Sequence, residues 1–66
     1  MRKTLKAMRA KNGWDQKDVA AMMGVSTATY SMIESGARFG SAKSWEKLKD
    51  IYKIKNADIW RIQHEE

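Results

Sequence analysis

Cysteine and proline are both absent from the 66 residues, and histidine occurs once. Without cysteine there is no disulfide scaffold and no thiolate metal site, which fits a reducing compartment. Long apolar runs are missing too. The longest covers residues 19–25, far short of the roughly 20 residues that cross a bilayer. The start, Met1, Arg2 and Lys3, is basic, but no apolar stretch of signal-peptide length follows it. His64, the single imidazole, lies in the last three residues, so no Ser–His or Cys–His pair can be assembled. No glycine-rich phosphate loop follows a strand pattern. These absences argue against an enzyme: no catalytic residue, no metal ligand set and no cofactor is expected.

What is present is basic. Lysine and arginine number 13 against 8 aspartate and glutamate, a formal charge of +5. The excess sits in residues 1–17, which hold Arg2, Lys3, Lys6, Arg9, Lys11 and Lys17 against Asp15 alone. The rest of the chain balances. A basic patch points to a polyanion such as nucleic acid. A solvated helix face tuned for solubility gives the same pattern.

Apolar residues recur at helical spacing and never in strict alternation, which predicts an all-α chain. The 66 residues read as one small domain with no linker or repeat, and its last three residues are expected to fray. A first helix is predicted over 2–11, with Leu5 and Met8 inward, stopped by Asn12 and Gly13. Trp14 can staple onto the next helix. That helix, over 16–23, has Asp15 as its cap, Asp18 as its acidic partner, and Val19, Ala20 and Met23 inward. Gly24 ends it in the left-handed conformation. Ser26 caps a third helix over 27–35, stopped by Gly36. Two short helices and a glycine turn make a helix-turn-helix, the unit that sets its second helix in a DNA groove. Ser41 can cap a fourth helix over 42–53, with Trp45, Leu48, Ile51 and Tyr52 inward. Asn56 is the expected cap of a fifth over 57–63, with Ile59 and Trp60 as its apolar pair.

The third helix divides cleanly. Tyr30 and Ile33 face the core. Thr27, Ala28, Ser31 and Met32 share the opposite stripe, which is small and carries no charge. A merely solvated helix shows Lys or Glu there, so a smooth uncharged face suggests contact with a partner.

The ordered set Leu5, Met8, Arg9, Gly13, Gln16, Val19, Ala20, Gly24, Val25, Ser26, Tyr30, Ile33, Glu34 and Gly36 resembles the phage-repressor and Cro-like (XRE-type) helix-turn-helix family. Trp45, Leu48, Tyr52, Ile54 and Ile59 continue the match, which spans roughly residues 4–62. The resemblance implies a five-helix, lambda-repressor-like domain that binds double-stranded DNA as a transcriptional regulator, a repressor of phage or mobile-element type. It implies that Ser26, Thr27, Ala28, Ser31 and Met32 face the bases. Phosphate contacts fall on Gln16, Lys17, Ser35, Arg38 and Lys43, with Arg2 and Lys3 adding long-range attraction. It also implies a structural ion pair between Arg9 and Glu34.

Three departures from the family pattern stand out. The base-facing stripe has no Arg, Gln or Asn, so bidentate base pairings are lacking and DNA shape is expected to carry much of the specificity. Asp15 stands where the family often has Thr or Ser. Gly40 stands where many relatives have proline, which predicts a more mobile loop. The expected partners are double-stranded DNA and a second copy, joined through the five helices or the 37–41 loop, in solution or only on DNA. Neither a membrane nor a small-molecule substrate is expected, and the setting is the cytoplasm of a bacterial or phage-infected cell. The alternative reading is a protein-interaction module on the same scaffold, with Trp60 as core residue or interface anchor.

Overall fold

A computed structural model describes residues 1–65. Five helices follow one another with no strand among the described residues: α1 (Lys3–Lys11), α2 (Gln16–Met23), α3 (Thr27–Ser35), α4 (Ala42–Tyr52) and α5 (Asn56–Gln63). This is the all-α, five-helix bundle with a central helix-turn-helix that the periodicity predicts.

Local chemistry sets most of the boundaries. Asp15 and Asp18 form a reciprocal capping box: Asp15 Oδ1 accepts from Asp18 N–H and Asp18 Oδ2 from Asp15 N–H, both at 3.0 Å. Each bond satisfies a donor that has no partner within the helix. Gly24 ends α2 at φ +72°, where any side chain would strain against its own backbone. Ser26 and Ser41 cap α3 and α4 by accepting from the N–H three residues on, each at 3.1 Å. At the end of α4 a lysine does the work of glycine. Lys53 has φ +53°, and the reversal lets Ile54 N–H bond to Lys49 O at 2.9 Å and turns the Ile54 side chain inward.

The core lies where α2 and α3 pack on each other, closed by α1 on one side and by α4 and α5 on the other. Leu5, Val19, Tyr30, Ile33, Leu48 and Ile62 are fully enclosed. Each such side chain contributes about 1.5–3 kcal/mol relative to an exposed position. Trp14 is half-buried and rests against Tyr52, ring centroids 6.1 Å apart.

Three expectations need correction. Asn56 is the first residue of α5, not its cap, and the N-cap Lys55 makes no side-chain bond. The inward pair of α5 is Ile59 with Ile62, while Trp60 is 69% exposed. Ile62 lies three residues on from Ile59 and shares its face, while Trp60 points about 100° round the helix, to the side that the packed neighbours leave open. Of the tail residues expected to fray, Glu65 carries contacts of its own. Glu65 Oε1 accepts from Thr4 N–H at 3.0 Å and Oε2 from the Thr4 hydroxyl, so the carboxylate serves the open N-terminus of α1. Glu66, also assigned to the frayed tail, lies outside the described residues. Finally, Arg2 is not part of a solvent-facing basic patch. It is 3% exposed and precedes α1, which starts at Lys3.

Candidate nucleic-acid interface

α3 is held at both ends and along one side, and its other side is left open. At its start the Ser26 hydroxyl accepts from Thr29 N–H and is 2.9 Å from Thr29 Oγ1. Ser26 is therefore engaged as a cap, which limits its hydroxyl as a base contact. Thr27 and Ala28 are exposed, and Ser31 and Met32 are half-buried on the same side. On the inner side Tyr30 and Ile33 are sealed. The Tyr30 and Tyr52 hydroxyls lie 2.8 Å apart and satisfy each other inside the core. Burial first, then this bond, pushes the Tyr30 pKa well above its ordinary value.

Glu34, in the last turn of α3, carries the charge that fixes α1. Arg9 Nε donates to Glu34 Oε2 at 2.9 Å and Nη2 to Oε1 at 3.1 Å, a two-pronged pair. The side chains are 17% and 4% exposed. Arg9 Nη1 also donates to Trp14 O at 3.1 Å. Burial alone would push the Glu34 carboxyl up, but the hydrogen bonds it accepts, Arg9's foremost, leave its pKa below the ordinary carboxylate value. The same bonding raises the Arg9 pKa.

Gln16 is the first residue of α2. Its side-chain amide donates to Glu34 Oε1 at 3.3 Å, so it leans across the turn toward the end of α3. The backbone N–H groups of Gln16 and Lys17 occupy the first two positions of α2 and have no partner within the helix. Such a helix end favours an anion through open donors and the helix dipole.

Lys17, Arg38 and Lys43 are exposed. Ser35 is exposed as well, but its hydroxyl donates to Met32 O at 3.1 Å and accepts from Ala37 N–H at 3.3 Å. That engages much of its bonding capacity with the turn after α3. The loop from Gly36 to Gly40 is bonded at Gly36, Arg38 and Phe39. Gly36 and Arg38 N–H both donate to Met32 O at 3.1 Å, Arg2 donates to Arg38 O, and the Trp45 indole donates to Phe39 O at 2.8 Å. Gly40 itself has φ +92°, a conformation that strains any side chain, and a Cβ there would crowd the Trp45 indole nitrogen at 3.1 Å.

Of the six basic side chains in residues 1–17, Lys3, Lys6, Lys11 and Lys17 are exposed, Arg9 is paired and Arg2 is buried. The burial of Arg2 carried no local sequence signal. Its partners lie 31 to 61 residues away. Among the described residues, no group of three His, Cys, Asp or Glu side chains gathers where it could hold a metal. Nor, among the described residues, is any helix long and apolar enough to cross a membrane.

One of the comparisons with known proteins gives a match. A family model described as helix-turn-helix matches residues 5–52, from the buried Leu5 of α1 to the end of α4. No curated protein and no solved structure gives a significant match. With that match over most of its length and five helices in this order, the chain belongs to the XRE (phage-repressor and Cro-like) helix-turn-helix family, a family of DNA-binding transcription regulators.

Proposed function

We propose that this protein binds double-stranded DNA as a transcriptional repressor of phage or mobile-element type, with α3 in the major groove. The observation that carries the reading is the uncharged outer stripe of α3 beside an exposed basic rim. Thr27, Ala28, Ser31 and Met32 make the stripe, and Lys17, Arg38 and Lys43 the rim. Methyl groups of Thr27 and Ala28 suit thymine methyls, and the Thr27 and Ser31 hydroxyls offer single hydrogen bonds. Met32 adapts to an apolar step. The rim and the open N-terminus of α2 at Gln16 hold the phosphates. Fixed backbone contacts with sparse base contacts favour readout of DNA shape.

Two copies spaced about one helical turn (roughly 34 Å) on a near-palindromic site would double the footprint. The second copy has a fitting surface. Trp60 stacks on His64 with centroids 4.2 Å apart, Phe39 meets His64 edge-on at 5.7 Å, and all three are exposed. Alongside runs a groove between α4 and α5 of about 350 Å³, lined by Trp45, Glu46, Lys49 and Ile59 among others. On this reading a two-fold contact sets the projecting Trp60 ring of each copy against the groove of the other. Acting on DNA would put the protein in the cytoplasm of a bacterial or phage-infected cell. No catalytic step or cofactor enters this mechanism.

The test is selection of bound sequences from random duplex DNA, with Thr27, Ala28 and Ser31 variants run in parallel. The expected product is a near-palindrome with weak base preferences that shift with each variant. A pool with no enrichment, together with binding insensitive to salt, overturns the reading.

A further inference from the structure

Arg2 is buried although nothing in its neighbourhood of sequence calls for it. A guanidinium has five donors and no acceptor, so enclosing it requires a shell of acceptors. The shell is made of backbone carbonyls. Nη1 donates to Ile33 O and, at 2.7 Å, to Arg38 O, while Nε and Nη2 donate to Gln63 O at 3.2 and 3.1 Å. The Arg2 backbone N–H adds a bond to Glu34 O at 2.8 Å. The guanidinium carbon lies 5.5 Å from the Phe39 ring centre and 5.3 Å from that of Trp45. Ile33, Glu34 and Gln63 sit in the last turns of α3 and α5, so the charge lies at the negative ends of two helices.

Arg38 differs from those partners because it belongs to the loop. Its carbonyl is held by Arg2, and its N–H is held by Met32 O of α3 at 3.1 Å. The backbone of Arg38 is therefore fixed on both sides while its side chain stays in solvent. A contact group whose backbone is already set loses less freedom on binding.

We infer that Arg2 is a positioning residue for DNA contact: through the Arg38 carbonyl it holds the 36–40 loop against the end of α3, so that the Arg38 side chain meets the phosphate backbone while α3 faces the bases. This inference rests on the DNA-binding reading above.

The test uses Arg2→Lys, which keeps the charge but loses the rigid fork that reaches three carbonyls. Binding of the whole chain to a fluorescent duplex of about two helical turns is measured across a salt series, below the melting temperature of every variant. Each phosphate contact contributes about 0.9 to the slope of log K against log salt. Arg2→Lys is expected to lower the slope by about one contact, as Arg38→Gln does. The double variant is expected to fall no further than Arg38→Gln alone. A variant that melts earlier but keeps the wild-type slope overturns the inference, as does a double variant whose slope loss is the sum of the singles. Wild-type chain that binds no duplex removes the DNA-binding reading and this inference with it. The wild-type titration alone tells the two failures apart.

Discussion

Replacing Glu34 by alanine removes one half of an enclosed ion pair and leaves the other half in place. Arg9 loses both prongs at 2.9 and 3.1 Å, and Gln16 loses its 3.3 Å bond. Breaking one side of a buried pair costs about 3–5 kcal/mol, because the surviving charge is left desolvated. Arg9 is 17% exposed and keeps its bond to Trp14 O, which argues for the lower end, about 3 kcal/mol. A chain of this length has a total stability of about 3–10 kcal/mol. Each kcal/mol moves the melting temperature of so small a domain by about 4–8 °C, so Glu34→Ala should melt roughly 12–24 °C earlier. Thermal melts followed by far-UV circular dichroism at neutral pH measure it. The pair Arg9→Met with Glu34→Leu removes both charges and fills similar space, and is expected to recover most of the loss. A shift of less than about 4 °C for Glu34→Ala, the equivalent of 1 kcal/mol, would refute the argument. So would a double variant less stable than Glu34→Ala alone.

Acid stability should follow Glu34 and Glu65. Both carboxyls are more acidic in the folded chain than the ordinary value of 4.5, because the bonds they accept outweigh the effect of burial. The unfolded chain then takes up protons first as pH falls. Stability is full above pH 4.5 and declines as pH drops from there through the folded values, and Glu34→Gln should flatten that decline in urea titrations. Tyr30→Phe strands the Tyr52 hydroxyl and should cost about 1–2 kcal/mol. Tyr30→Phe with Tyr52→Phe should cost less than the two singles added, and strict additivity in the double-mutant cycle would count against the buried pair. Trp60→Ser should abolish self-association in sedimentation equilibrium with little change in melting temperature, since the ring is mostly in solvent. A wild-type chain that stays monomeric both free and on DNA would sink that expectation.

The elements that were legible in the sequence share a physical property: their determinants are local. Asp15 with Asp18, Ser26 and Ser41 bond to backbone three residues away, and Gly24 and Gly36 need only their own positive φ. Those signals delimit α2, α3 and the start of α4 before any packing is known. Spacing likewise puts Val19, Tyr30 and Ile33 inside, because a helix face is set by residue number. At α5 the local signals mislead: Asn56 has the chemistry of a cap and Ile59 with Trp60 the makings of an inward pair, while Ile62 holds the buried place. A helix of eight residues with apolar groups on two sides has no unique inner face until its neighbours are present.

The sequence by itself therefore determined the helices, the glycine turn between α2 and α3, the uncharged outer stripe of α3 and the family. Only the tertiary structure decided that Arg2 leaves the basic surface for a cage of carbonyls from α3, α5 and the loop between α3 and α4. It also decided that Glu65 closes the start of α1 and that Trp60 turns outward. Each of the first two joins groups 31 to 61 residues apart, and the third follows from which face of α5 those contacts leave free. The Arg2 guanidinium takes its buried place because distant carbonyls converge on it, and convergence is a property of the packed helices, not of any stretch of chain.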